Sequence, residues 1–170
     1  MAPSRTDVLV NGYASDSDVS VDIPVLIVGG GPTGLLQAYL LSKLGGRSIL
    51  IEKYPQRLAA PKAHALSPRS LEICRQFQLD TPALRRLGTP RSEAYWVNFL
   101  TDLSRESIGR LPYERMDTDV LDATPEMIHN IPQPVFESFV CSALAADQNV
   151  EIRKGVSFVA AVQVIPTIIN

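Results

Sequence analysis

A chain of 170 residues with 45% hydrophobic and 20% charged side chains has the length and composition of one soluble globular domain. Its 16 basic and 18 acidic residues leave a formal net charge of -2, which argues against nucleic acid as a partner. The two cysteines, Cys74 and Cys141, form no CxxC pair. Neither a disulfide framework nor a metal site is therefore indicated, and we interpret both thiols as reduced.

The N-terminal segment, residues 1–22, is polar and lacks the apolar core of a secretory signal. We expect it to be a disordered lead. No run of sequence approaches the roughly 18 apolar residues that a membrane-spanning helix needs. With reduced cysteines, these features predict a protein of the cytoplasm that has no membrane partner.

The first ordered segment predicts a strand, a helix and a second strand. The run IPVLIV at 23–28 is typical of a buried strand, and the glycine-rich turn GGGPTG at 29–34 closes it. A dense apolar helix follows and ends at the glycine pair 45–46, before the second buried strand SILIE at 48–52. This order implies a right-handed crossover between two parallel strands.

The glycine turn has the spacing GxGxxG between a strand and a helix, which is typical of a dinucleotide site. In such a turn Gly29 permits the tight bend, Gly31 lets the backbone approach a pyrophosphate, and Gly34 lets the helix lie close to the strand. The N-terminus of the helix then offers N–H groups and a partial positive charge to the phosphates. The predicted cofactor contacts include the intervening residues Gly30, Pro32 and Thr33.

Glu52 ends the second strand at the position where a carboxylate accepts hydrogen bonds from ribose hydroxyls and repels a 2′-phosphate. Adenosine ribose with free hydroxyls is therefore the preferred ligand. The alternative interpretation is a glycine-rich turn that only permits tight packing, with Glu52 as a solvent-facing strand end.

The middle of the chain predicts a helix and a small side sheet. Ser67 can cap a helix over residues 68–78, which begins with a proline at its first position. Residues 93–100 and 106–111 predict two antiparallel strands. The stretch 112–133 contains prolines and acidic residues without a clear period, so we expect an ordered loop.

The last part of the chain returns to regular structure. Pro134 opens a predicted amphipathic helix, and residues 150–153 predict a third strand of the parallel sheet. Residues 156–170 are apolar and have the pattern of a further strand. Their final part, 164–170, matches no segment of the family named below, so we treat it as a divergent end.

Two segments carry a family resemblance. The first is VLIVGGGPTGL at 25–35, continued by IEK at 51–53, and the second is PKAHALSPRSLEI at 61–73. Together they resemble the start of the FAD-dependent aromatic hydroxylases, the group of the para-hydroxybenzoate and phenol hydroxylases and of many fungal secondary-metabolite monooxygenases. The second segment separates this family from other users of GxGxxG, among them the NAD-dependent dehydrogenases, which remain a less favoured alternative.

The resemblance implies FAD as cofactor, NAD(P)H as reductant and a small aromatic molecule as substrate. Lys53 follows the ribose-binding Glu52 in the matched segment. Lys62 stands where the family has an arginine on the cofactor side of the site, and lysine keeps the charge without the planar fork. Arg69 is a second candidate, or else a surface arginine on a helix. Gln133 matches the glutamine beside the flavin's ribityl and ring region, with a helix-capping glutamine as the alternative.

The predicted fold class is α/β, a Rossmann-like FAD-binding domain with a parallel sheet, a crossover helix and a small antiparallel side sheet. It spans residues 23–163 and is incomplete compared with the family, because the later cofactor and substrate segments do not occur before Asn170. We therefore predict the FAD-binding portion of an NAD(P)H-dependent flavin monooxygenase, with no catalytic residue assigned. The alternative is a truncated, non-catalytic dinucleotide-binding homologue without monooxygenase activity.

Overall fold

The computed structural model describes residues 22–56, 62–104 and 106–163. The chain divides into two compact units. The first unit comprises Met1–Arg57 and Leu144–Asn170, and the second unit comprises Leu58–Ala143. The predicted lead, apart from Asp22, and the divergent end at 164–170 lie outside the described residues.

The first unit is built on a parallel sheet in the strand order β1-β2-β7. Strand β1 covers Val25–Val28, β2 covers Ser48–Glu52 and β7 covers Val150–Lys154. β2 is the central strand, and it pairs in parallel with both neighbours. The predicted parallel strands on either side of a crossover helix are therefore confirmed, as is the third strand.

Helix α1, Pro32–Lys43, connects β1 to β2 and packs against all three strands of this sheet. Its buried face meets the buried side chains of β2, and the two together form the core of the first unit. The helix ends at Leu44, after which Gly45 has a φ of 79°. This left-handed conformation favours glycine and explains why the helix stops there. The core residues contributed by α1 and the sheet include Ile27, Leu35, Ala38, Tyr39, Ile49, Leu50 and Ile51.

The apolar stretch after β7 differs from the sequence prediction. Gly155 has a φ of 75°, so the backbone turns directly after the strand instead of extending it. Val156 donates its N–H to the carbonyl oxygen of Glu52 at 3.0 Å, and residues 156–163 then run without regular structure. The predicted strand is therefore wrong for the described residues of this stretch.

The second unit combines short helices with two small antiparallel sheets. One sheet pairs β3, Ala65–Leu66, with β6, His129–Asn130, and the other pairs β4, Trp96–Leu100, with β5, Ser107–Pro112. The unit also contains a 3₁₀ helix over Thr118–Asp122 and all but the last residue of α5, Gln133–Leu144. The remaining bounds are α2 Pro68–Gln76, α3 Thr81–Arg86 and α4 Arg91–Ala94.

The local sequence signals account for several of these elements. Ser67 caps α2, because its hydroxyl oxygen accepts a hydrogen bond from the N–H of Ser70 at 3.2 Å. The antiparallel pairing of β4 with β5 and the amphipathic helix α5 are confirmed. The first predicted strand begins later than expected, since residues 93 and 94 belong to α4.

Two further predictions for the second unit need correction. Residues 112–133 are not only a loop, because they include the 3₁₀ helix and strand β6, and β6 pairs with the distant strand β3. Helix α3 is absent from the sequence prediction; Asp80 caps it by accepting a hydrogen bond from the N–H of Ala83 at 2.8 Å. None of the helices in the described ranges combines the length and apolar character that a bilayer crossing requires.

Candidate functional site

The glycine turn between β1 and α1 starts with a bend that only glycine adopts easily. Gly29 has a φ of 105°, and its N–H donates to the carbonyl oxygen of Ile51 at 2.8 Å. The bond ties the turn to the end of β2, while the positive φ reverses the chain toward the helix. The first glycine of the motif thus has the conformational role that the spacing predicts.

Gly34 allows a close approach between the first turn of α1 and the glycine turn. A Cβ atom at this position would lie 2.0 Å from the carbonyl oxygen of Gly29 and 3.3 Å from the side chain of Ile27. The closest obstacle is backbone, which cannot rotate away as a flexible side chain can. The third glycine of the motif is therefore required for this packing.

The first turn of α1 contains no acidic side chain of its own. Gly31 is the N-cap residue, and Pro32 occupies the first turn. Pro32 has no N–H to satisfy, and Thr33 is exposed. Such a helix end attracts anions, because unsatisfied N–H groups and the helix dipole both place partial positive charge there.

Glu52 stands at the opposite side of the turn and is bonded to it. One carboxylate oxygen, Oε2, accepts a hydrogen bond from the N–H of Gly30 at 2.7 Å. The other, Oε1, accepts from the N–H of Tyr54 at 2.9 Å. Glu52 is thus fixed beside the glycine turn, which differs from a solvent-facing strand end.

A groove of about 370 Å³ runs along the carboxyl edge of the parallel sheet. In open α/β sheets, ligands bind outside the carboxyl ends of the strands. One wall comes from the ends of β1 and β2 and the other from the segment that follows β7. The lining residues are Val28, Gly29, Ile51, Glu52, Lys53, Val156, Ser157 and Phe158.

Lys53 is the cation of this groove. Its ammonium group lies 4.8 Å from the centre of the Tyr54 ring, a cation–π distance. The groove therefore combines apolar walls with one acidic and one basic lining residue, Glu52 and Lys53, and it begins at the glycine turn that precedes α1. That combination suits a molecule with a flat apolar part, hydroxyl groups and a negative charge.

The other candidate residues belong to the second unit. Lys62 is exposed. Arg69 has 72% of its side chain exposed and pairs with Glu72 at 2.9 Å, an arrangement that fits the surface interpretation. Gln133 begins α5, and its amide nitrogen donates to the carboxylate of the buried Glu137 at 2.9 Å.

Sequence reasoning missed two parts of the groove. The bond from the Gly30 N–H to Glu52 joins residues that are distant in the chain, so no local pattern could indicate it. The sequence predicts a strand for residues 156–158, which instead form a wall of the groove. Its signal was Gly155, directly after the third parallel strand, where a glycine can turn the chain toward the carboxyl edge of the sheet.

Comparison with known families shows to which protein family the chain belongs. A family model described as "FAD binding domain" matches residues 22–164, which is most of the chain. The chain belongs to this FAD-binding family. Its resemblance to the FAD-dependent aromatic hydroxylases is confirmed by relatives that carry the names of such enzymes. FAD binding thus replaces the alternative of an NAD-dependent dehydrogenase.

Three similar proteins illustrate the relationship. The chain is 29% identical over 133 residues to a 2,4-dichlorophenol 6-monooxygenase of Cupriavidus pinatubonensis, covering 76% of this chain and 22% of the relative. It is 41% identical over 138 residues to aklavinone 12-hydroxylase DnrF of Streptomyces peucetius subsp. caesius, covering 78% of this chain and 27% of the relative. The flavin-dependent monooxygenase PieE, solved with FAD and substrate, superposes with a TM-score of 0.75 at 27% identity, covering 82% of this chain and 25% of PieE.

The chain spans about a quarter of the length of these relatives. The predicted fold class, an α/β FAD-binding domain with a parallel sheet and small antiparallel sheets, is confirmed. In the first unit, the glycine turn is hydrogen-bonded to Glu52, and both the turn and Glu52 line the groove.

Proposed function

We propose that this chain is the FAD-binding portion of an NAD(P)H-dependent flavin monooxygenase that hydroxylates a small aromatic or polyketide-like substrate. The observation that carries the proposal is the fixed arrangement of the glycine turn and Glu52 beside the groove, in a chain of the FAD-binding family. The site fits the adenosine diphosphate half of FAD, which has hydroxyls for the carboxylate and phosphates for the helix end.

In the first unit, we assign each chemical group of the cofactor to different residues. The N-terminus of α1 binds the pyrophosphate, and the Glu52 carboxylate accepts from the ribose hydroxyls. Lys53 adds a positive charge at the wall of the groove. The cofactor-binding residues that we propose here are Gly29, Gly30, Gly31, Pro32, Thr33, Gly34, Glu52 and Lys53.

Three further contacts rest on the family resemblance. Lys62 and Arg69 are proposed as cations on the cofactor side of the site, and Gln133 as a neighbour of the flavin ribityl and ring region. The bond from Gln133 to the buried Glu137 supports a fixed orientation of that amide. Replacing Gln133 by alanine should weaken flavin binding more than replacing Arg69, which is highly exposed.

In the complete enzymes of this family the flavin supplies the chemistry of oxygen transfer, with NAD(P)H as the reductant. The residues of this chain bind and orient the cofactor and exclude water from part of it. The names of the relatives support an aromatic or polyketide-like substrate, since they refer to a chlorinated phenol and to aklavinone. We propose the cytoplasm, a reducing compartment, because the two cysteines of the sequence, Cys74 and Cys141, form no CxxC pair.

A second candidate is a dinucleotide-binding homologue without monooxygenase activity. It is motivated by the site itself, because the glycine turn, Glu52 and the helix end fit the adenosine diphosphate half that FAD shares with other dinucleotides. In that case the chain binds the adenosine half of a dinucleotide and does not turn over substrate.

The purified chain should be mixed with FAD, passed through a desalting column and examined for flavin absorbance in the visible region. We expect flavin to co-elute with the chain, and Gly34→Val to remove it, because the valine collides with the backbone of Gly29. NADPH oxidation with phenolic substrates then separates the two candidates: turnover supports the monooxygenase, and flavin retention without turnover supports the non-catalytic homologue. A folded chain that retains no flavin would contradict both.

A further inference from the structure

The carboxylate of Glu52 is held by the backbone on both sides. Its two oxygens accept from different N–H groups, that of Gly30 in the glycine turn and that of Tyr54 just beyond β2. Hydrogen bonds to an ionised carboxylate are stronger than neutral ones, and two of them fix the orientation of the group. The acid thus links the end of β2 to the middle of the glycine turn.

Gly30 is crowded by the same side chain. A Cβ atom at position 30 would lie 3.0 Å from the Cβ of Glu52, 3.3 Å from its Cγ and 3.4 Å from Oε2. Gly30 is not among the glycines with positive φ, so its backbone conformation alone does not require glycine. The obstacle to a larger residue at position 30 is therefore the side chain of Glu52.

We propose that Glu52 is a positioning residue for the glycine turn, which it holds through the N–H of Gly30, and that position 30 is glycine because Glu52 fills the adjoining space. The effect on FAD affinity rests on the proposed function, whereas the effect on the turn does not. The backbone N–H groups of the turn therefore have two roles. The N–H of Gly30 donates to the Glu52 carboxylate, and the N–H groups at the start of α1 are available to donate to the cofactor phosphates.

Amide hydrogen exchange on the cofactor-free chain tests the first part. In Glu52→Ala the Gly30 N–H loses its charged acceptor, so its exchange should accelerate about tenfold or more relative to the native chain. Glu52→Gln keeps the shape and an acceptor oxygen, and it should give an intermediate rate. Glu151→Gln is the matched control, because Glu151 is an exposed carboxylate on β7 that pairs with Arg153. In this control variant, the amide exchange rate of Gly30 should equal that of the native chain.

A pair of substitutions tests the second part. Gly30→Ala should lower the thermal midpoint by about 3 °C or more in the native background, and by less than half as much in the Glu52→Ala background. Equal shifts in both backgrounds would overturn the claim that Glu52 sets the residue at position 30. A Gly30 exchange rate that stays native in a folded Glu52→Ala chain would overturn the positioning role.

Titration with FAD separates this inference from the proposed function. If the native chain binds FAD, Glu52→Gln should bind it more tightly than Glu52→Ala, in the same order as the Gly30 exchange rates. If the native chain does not bind FAD, the proposed function fails. The exchange rates and the midpoint shifts still decide the positioning role, since both are measured without cofactor.

Discussion

At the scale of single residues, Gly29, Gly30 and Gly34 of the turn differ in what requires glycine at each position. Gly29 needs its positive φ, Gly34 faces a backbone oxygen, and Gly30 faces the side chain of Glu52. The sequence motif predicts the first two roles because they follow from the spacing of strand, turn and helix. The third role depends on a contact across the sheet, which the spacing of the motif does not encode.

Gly34→Ala should destabilise the chain by at least about 2 kcal/mol, since a Cβ atom would stand 2.0 Å from the carbonyl oxygen of Gly29 and the helix would have to shift. Gly109→Ala is the matched control, because no atom lies within 4 Å of the Cβ that it would add. Urea denaturation measures both. Equal stability of the two variants would contradict the close approach of α1 to the turn.

His129 is a buried residue whose ionisation should be visible in the pH dependence of stability. It is 6% exposed, and its Nε2 has no hydrogen-bond partner within the described residues. Burial, and then the positive charge of Arg85, lower the pKa of His129 below its ordinary value of 6.5. The folded chain therefore binds fewer protons at this site than the unfolded chain does.

The sign of the effect follows from that difference. Stability from His129 is fully present above the unfolded pKa and is lost as the pH falls from about 6.5 toward the lower folded pKa. The free energy of unfolding, followed by the fluorescence of Trp96, should decrease between about pH 7 and 5. The decrease should be smaller in His129→Asn than in His64→Asn, where the replaced histidine is exposed. Equal slopes in the two variants would refute this assignment.

At the scale of elements, the sequence predicts those with local signals and misses those that depend on distant partners. The strands and helix of the first unit have long apolar patterns and a glycine stop, and α2 has a serine cap. Strand β6 is two residues long and exists because it pairs with β3. Helix α3 has six residues, too few to show a clear helical period.

Helix α3 is connected to the segment before β6 by an ion pair. Arg85 donates to a carboxylate oxygen of Glu126 at 2.7 Å and to the carbonyl oxygen of Met127 at the same distance. The side chain of Glu126 is 7% exposed, and Arg75 lies 3.7 Å away as a second cation. The charge of Glu126 is therefore compensated mainly by Arg85.

Arg85→Met should reduce the free energy of unfolding by about 3 kcal/mol, because it leaves the buried carboxylate of Glu126 with only Arg75, whose guanidinium lies 3.7 Å away. The variant Arg86→Met provides the control, as it changes the neighbouring, exposed arginine of the same helix and should alter stability by less than about 0.5 kcal/mol. Chemical denaturation compares the two. A similar small effect in both variants would mean that the ion pair contributes little to the second unit.

At the scale of the whole molecule, the pattern of strand, glycine turn, helix and strand predicts an α/β fold, and the resemblance of residues 25–35, 51–53 and 61–73 implies the family of FAD-dependent aromatic hydroxylases. Both predictions are confirmed. The division into two compact units has no counterpart in the sequence analysis, which treats residues 23–163 as one domain. The reason is physical: the second unit is inserted between β2 and β7, and these strands are brought together only by their pairing in the sheet.

We expect the first unit to bind the adenosine diphosphate half of FAD. The most direct test is a calorimetric titration of the chain with FAD, and in parallel with FMN, which has the same flavin but lacks the adenylate. We predict that FAD binds, that ADP competes with it, and that FMN binds far more weakly. Equal affinity for FAD and FMN, or FAD binding that ADP does not reduce, would contradict the assignment of the groove.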